Sequence, residues 1–194
     1  LRLGQAAAAV DPAARTVTTC TGDRIEYSTL VLATGSYPFV PPVDGSDNPR
    51  AFVYRTLADL AALRAAAEAA GPGAPGVVVG GGLLGLEAAN ALRLLGMTPH
   101  IVEFAPRLMP LQVDDGGGAV LANLVNGLGL SVHTGVSTTA VADRDDTGML
   151  AVTLSDGTVL DAALVVFSAG VRPQDDLARQ AGLRIGERGG VVVD

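Results

Sequence analysis

The stretch GVVVGGGLLGLEAANALRLLG, residues 76–96, constrains the chain most. Three valines run directly into Gly80-x-Gly82-x-x-Gly85, and an apolar, alanine-containing run follows without a break. A strand can pass into a helix over so few residues only through a special turn, and the spacing gives each glycine a task. Gly80 permits the tight turn, Gly82 lets the backbone approach a pyrophosphate, and Gly85 lets helix and strand pack closely. The helix then presents the unpaired N–H groups of its first turn, at Leu83 and Leu84, to phosphate oxygens. Glycine spacing alone is a weak signal, but here an acidic residue, Glu103, ends the next strand (HIVE), 18 positions after Gly85. A carboxylate there can accept hydrogen bonds from both adenosine ribose hydroxyls and repels a 2'-phosphate, so NAD(H) is expected rather than NADP(H). The competing account is a structural glycine turn with a solvated glutamate.

The rest of the chain fits one compact domain, or one domain with a partial neighbour. It has 194 residues, 48% hydrophobic and 17% charged, enough apolar material for a core and too little charge for disorder. A net charge of -7 leaves no basic footprint for nucleic acid or anionic lipid. The single cysteine, Cys20, excludes an intrachain disulfide, and no metal-ligand set stands out. No apolar run approaches a membrane span and no signal-peptide pattern opens the chain, so a cytoplasmic protein is the expectation.

Short strands open the chain: AAAAV and TVTTC around DPAAR, then RIEY, then TLVLA as a buried strand. The proline-rich SYPFVPPVDG is a loop, and TLADLAALRAAAEAA (56–70) is a helix stopped by GPGAPG. Strand 77–79, helix 83–95 and strand 100–103 follow. A helix is expected over 114–128, although GGG at 116–118 weakens its start. LSVHT is a strand, LAVTLSD and TVLDA form a hairpin about Asp156-Gly157, and ALVVFSA is a buried strand.

An internal repeat orders these pieces. VTTCTGDRIEYSTLVLATGSYP matches VTLSDGTVLDAALVVFSAGVRP, pairing Gly22 with Gly157, Gly35 with Gly170 and Pro38 with Pro173, each 135 positions apart. The second copy owns the loop at 80–85. The first would place its own loop before Leu1, so the expectation is two related nucleotide-binding domains, the first cut at its start. The alternative is two unrelated hairpins.

Gly170 ends the last strand of the second copy, at the carboxyl edge where ligands of open parallel sheets lie, and Thr34-Gly35 is its counterpart in the first. Arg107 has two readings of equal weight, a phosphate partner or a solvent-facing residue. Glu87 either approaches the nicotinamide side or is an N-terminal-turn glutamate favoured by the helix dipole. Cys20 sits at a hairpin tip, His100 and His133 read as surface or strand-packing residues, and Asp114-Asp115 lacks calcium-loop spacing. Asp143, Asp145 and Asp146 read as a solvated turn. No residue is assigned a catalytic role, which fits hydride transfer, where cofactors carry the reaction.

With these motifs in hand, the chain resembles the pyridine nucleotide-disulfide oxidoreductase superfamily over essentially its whole length. GVVVGGGLLGLEAANALRLLGMTPHIVEFAPRLMPLQVDDGGG looks most like the large subunits of assimilatory NAD(P)H-dependent nitrite reductases. The resemblance implies an α/β, Rossmann-like FAD/NAD(P)-binding fold in three layers: an open parallel sheet with helices, plus a β-meander. It implies a partial FAD-binding domain at 1–45 that lacks its own fingerprint, an NAD-binding domain at 46–170, and a return segment into the FAD domain at 171–194. Gly80, Gly82, Gly85 and Glu103 match the family's NAD motif, Gly170 the glycine near the nicotinamide, and Thr34 and Gly35 the residues passing the flavin. The implied function is hydride acceptance from NAD(P)H, with electrons passing through FAD toward nitrite. FAD is expected in the longer protein and not in this chain, which alone is expected to be inactive. Expected partners are a small-molecule substrate and electron-transfer domains farther along the parent chain, with a homodimer left open. The alternatives are a flavin reductase of ferredoxin, rubredoxin or NADH oxidase type, and a non-enzymatic nucleotide-binding module.

Overall fold

A computed structural model describes residues 1–193. It divides the chain into two units, Leu1–Tyr37 with the segment from Val171 onward, and Pro38–Gly170.

In the first unit β1 (Ala7–Asp11), β2 (Thr16–Thr19) and β3 (Arg24–Glu26) form an antiparallel meander in that order. Residues 29–33, expected as a buried strand, are not one: they carry no strand, and Val31 is 80% exposed. An apolar parallel strand is stable only between neighbours that take up its N–H and C=O groups, and among the described residues this segment has none. Next comes β4 (Ser36–Pro38).

The second unit is built on a parallel sheet. Its elements are β5 (Ala51–Val53), α1 (Leu57–Ala70), β6 (Pro75–Val79), α2 (Leu83–Leu94), β7 (Thr98–Glu103), α3 (Asp115–Gly127), β8 (Ser131–Thr134), β9 (Thr138–Asp143), β10 (Leu150–Leu154), β11 (Val159–Ala162) and β12 (Leu164–Phe167). The sheet order is β5-β12-β6-β7-β8, and β9 to β11 form a separate antiparallel meander. Alternation along the strands makes two cores. Val78, Ile101, Leu164 and Val166 face helices, against Leu63 and Ala67 of α1, Ala88, Ala89 and Leu92 of α2, and Val125 of α3. Val77, Val79, Val102, Val165 and Phe167 face the meander, against Val141, Leu150, Val152, Leu154 and Leu160. Helices, sheet and meander are the three layers, and strands buried on both sides explain the unbroken valine runs.

Each long helix begins differently. Thr56 caps α1 in a capping box with Asp59. Asp114 caps α3 by accepting the Gly117 N–H, so that helix starts despite its three glycines. For α2 the N-cap is Gly82, and no side chain caps it.

On β7 and β8, His100 Nδ1 lies 3.1 Å from His133 Nε2. The ring centroids are 5.4 Å apart, about one ring width more than the nitrogens, so the rings meet edge to edge through a shared N–H···N bond rather than stacking. The acidic turn is exposed, as expected, and carries surface ion pairs of Asp143 with Arg50 and Asp146 with Arg144.

The first unit resumes with β13 (Val171–Pro173), which pairs with β4, and α4 (Asp176–Gln180). The repeat is visible in geometry. Gly22 and Gly157 both have φ 87°. Each closes the same turn, Thr19 N–H to Asp23 O in one copy and Leu154 N–H to Thr158 O in the other. Among the described residues no helix is long and apolar enough to cross a membrane.

Candidate functional site

The glycines of the loop between β6 and α2 are not equivalent. A Cβ on Gly80, whose φ is +117°, would collide with the carbonyl of Ser168, just past β12. A Cβ on Gly85 would collide with the carbonyl of Gly80, so the fold itself requires glycine there. At Gly81 a Cβ would lie 2.6 Å from Leu108 Cδ2 and 2.8 Å from Glu103 Cβ. Gly82 differs: its φ of -80° and ψ of -175° suit any residue, and a Cβ would meet nothing within 4 Å. GPGAPG at 71–76 has the same glycine spacing but runs from a turn into the start of β6, with no helix after it.

Around this loop the expected residues separate. Leu83 and Leu84 lie in the first turn of α2, 66% and 40% exposed. Glu103, 6% exposed, ends β7, and its carboxylate is already engaged. Oε2 accepts the Gly81 N–H at 2.6 Å and Oε1 accepts the Ala105 N–H at 2.8 Å. Two charge-assisted bonds offset the cost of burying the anion, and each oxygen keeps a further lone pair. The carboxylate therefore builds the loop, a role its spacing in sequence does not reveal.

Arg107 is half-buried, and each of its guanidinium nitrogens is engaged by a neighbouring group. Its Nε donates to Val113 O at 2.9 Å, Nη2 to Pro110 O at 3.2 Å, and Nη1 pairs with Asp115 Oδ1 at 2.8 Å. The side chain folds the segment after β7 back on itself and onto the start of α3.

Glu87 lies beyond the first turn of α2, which holds no acidic residue, so the dipole account does not apply to it. Its partner is Tyr54, just after β5. Burial pushes the Tyr54 phenol up, and the Glu87 carboxylate that accepts its hydrogen bond adds to this. Tyr54 escaped the sequence reading because its partner sits on a different element, with no spacing rule linking them. Gly170 has φ +107° and lies past β12, two residues beyond the Ser168 carbonyl that Gly80 approaches. Thr34 and Gly35 belong to the other unit. There the Thr34 hydroxyl donates to Gln174 O at 2.5 Å, and Gly35 O accepts the Gln174 N–H at 3.0 Å. Cys20 is exposed, and no group of three or more metal-ligating side chains occurs among the described residues.

Comparison with known proteins agrees with this geometry. The chain is 52% identical over all 194 residues to a nitrite reductase [NAD(P)H] large subunit of Klebsiella oxytoca, of which it covers 20%. It is 41% identical over 192 residues to a nitrite reductase (NADH) large subunit of Escherichia coli K12, covering 99% of this chain and 22% of that one. It thus spans about a fifth of the length of these curated relatives. Among solved structures, the ferredoxin reductase for the CYP199A2 system of Rhodopseudomonas palustris superposes with a TM-score of 0.89 at 32% identity, over 98% of this chain and 46% of that one. The family model described as pyridine nucleotide-disulphide oxidoreductase matches residues 1–194, and the chain belongs to that family.

Proposed function

We propose that the unit Pro38–Gly170 binds NADH through the Gly80–Gly85 loop and the first turn of α2, as the pyridine-nucleotide entry stage of a flavin-dependent nitrite reductase large subunit. The observation that carries this is Gly82. Gly80 and Gly85 are glycines because the fold leaves no room for a Cβ, whereas nothing inside the protein demands glycine at 82. The requirement then comes from a ligand that approaches the backbone, at the start of the one long helix whose N-cap supplies no side-chain oxygen. The spare lone pairs of Glu103 would take the ribose hydroxyls, and its charge disfavours a 2'-phosphate. When bound, the nicotinamide supplies the hydride. The chain's part is to hold it, with Glu87 and Gly170 toward the nicotinamide end.

The reading takes the first segment, expected over 1–45, and the return segment 171–194 as parts of a flavin-binding domain, and 46–170 as the NAD-binding domain, with 38–45 packed in the same unit as the latter. It adds electron-transfer domains farther along the parent chain and a cytoplasmic location. A reductase of the ferredoxin type is the second reading, supported by the superposition on the R. palustris enzyme, at 32% identity against 52% for the nitrite reductase. Calorimetric titration of the chain with NADH and NADPH tests the binding claim. NADH is expected to bind more tightly; equal or tighter NADPH binding would overturn the specificity, and no binding of either would overturn the site. NADH-dependent loss of nitrite with the full-length parent separates the two enzyme readings.

A further inference from the structure

We propose that Arg107 is a positioning residue for the pyrophosphate loop rather than a ligand of the nucleotide. This rests on the reading of Gly80–Gly85 as a dinucleotide site. The three bonds of Arg107 to Val113 O, Pro110 O and Asp115 close the segment 108–113 into a loop. Gly118 leaves room for the arginine stem, since a Cβ there would lie 2.8 Å from Arg107 Cβ. Two residues of the closed loop then act on Gly81. Leu108, fully buried, fills the space where a Gly81 side chain would be. Met109 donates its N–H to Gly81 O at 2.9 Å.

Gly81 is consequently held from both sides, its N–H by Glu103 and its carbonyl by Met109. In a trans peptide the C=O of one residue and the N–H of the next point in opposite directions. Fixing the Gly81 carbonyl against Met109 therefore aims the Gly82 N–H the other way, and no hydrogen bond within the described residues takes it up. That donor is the one a diphosphate would meet. The arrangement is held against resistance, because Met109 has φ +51°, a left-handed backbone that a non-glycine residue adopts at a cost. Without the Arg107 clamp, Met109 relaxes, its bond to Gly81 is lost and the Gly81–Gly82 peptide is free to rotate.

Amide hydrogen exchange and calorimetry on the whole chain test this. In Arg107→Gln, the Met109 amide is expected to exchange faster, while Gly81, held by Glu103, and Val78 and Ile101 stay protected. Affinities for NADH, NADPH and ADP-ribose should fall by one common factor of about tenfold, the scale seen when a mutated residue acts without touching the ligand. Asp115→Asn, which keeps both carbonyl contacts, should fall between. Adding Met109→Gly to Arg107→Gln removes the backbone strain and should restore part of the affinity, a rescue that a general folding defect would not show. Faster exchange with unchanged affinity overturns the proposal, as does selective loss of NADPH, which would make Arg107 a direct phosphate ligand. If the unaltered chain binds none of the three, the dinucleotide reading itself fails. The exchange data remain separate from that outcome, because they report the clamp without any ligand.

Discussion

Glu103 shows what a residue-level reading of sequence reaches and where it stops. Its place at the end of a strand, after a glycine loop, was legible from spacing. That its two oxygens accept the amides of Gly81 and Ala105 was not, because those distances are set by how β7 lies against the loop. The difference changes what mutation will do. Glutamine offers one acceptor oxygen and one NH₂ donor, so in Glu103→Gln one of the two backbone N–H groups must face a donor. An unsatisfied buried group costs about 1–3 kcal/mol. Glu103→Gln is therefore expected to lower the urea midpoint and to weaken NADH and NADPH together, rather than simply narrow the preference between them. A variant with unchanged stability and a relaxed preference would contradict this account of the carboxylate. Met109 marks the opposite limit: no glycine signals its left-handed backbone, so the loop that fixes Gly81 could not be read from residue types.

At the scale of elements, helices were the most legible, because their starts are written in local chemistry. Thr56 with Asp59 announces α1, and Thr56→Ala should cost about 1 kcal/mol in denaturant titration, by removing the bond its hydroxyl accepts from the Asp59 N–H. The segment 29–33 was misread for a non-local reason: its apolar pattern equals that of β12, but only β12 lies between two strands. The histidine pair is also a product of strand pairing, and it predicts a pH dependence. Burial lowers both pKa values; the neighbouring ring's charge lowers His100 further, while Asp156 opposes the shift at His133. A base whose folded pKa lies below its unfolded value takes up fewer protons in the native state. The stability it contributes is thus present above the unfolded pKa and declines as pH falls from there toward the folded pKa. Stability should therefore decrease as pH is lowered from about 7 to about 5, above the range where ordinary carboxylates titrate. His133→Thr, which keeps a strand former at the position, should flatten that slope in thermal melts across the same range. An unchanged slope would show that the pair is not responsible.

At the scale of the whole molecule, the repeat organises what was legible. Matching glycine turns at Gly22 and Gly157 close two similar meanders, and β4 and β13, which match in the repeat, pair with each other. The boundary was less legible. Residues 38–45 were expected to belong with the first segment but lie in the second unit, where Val43 is buried against the meander and Asp44 exchanges hydrogen bonds with its first strand. Long-range docking of that kind leaves no mark in a proline-rich loop. The reading also predicts that the purified chain carries no flavin. The Thr34 hydroxyl is committed to Gln174, and no second strand–glycine loop–helix unit accompanies Thr34 and Gly35 among the described residues. A near-stoichiometric flavin absorbance band would contradict that expectation.

The most direct test of the central claim is Gly82→Ala, measured for both stability and NADH binding. Because a Cβ at this position meets nothing in the protein and its backbone angles are ordinary, the substitution should cost no more than about 1 kcal/mol of stability. The same Cβ would stand where a pyrophosphate must approach, so NADH affinity should fall by roughly tenfold or more. Gly85→Ala, which the fold cannot accommodate, should instead lose stability outright. A Gly82→Ala chain that melts like the original and binds NADH equally well would contradict the claim that this loop is a dinucleotide site.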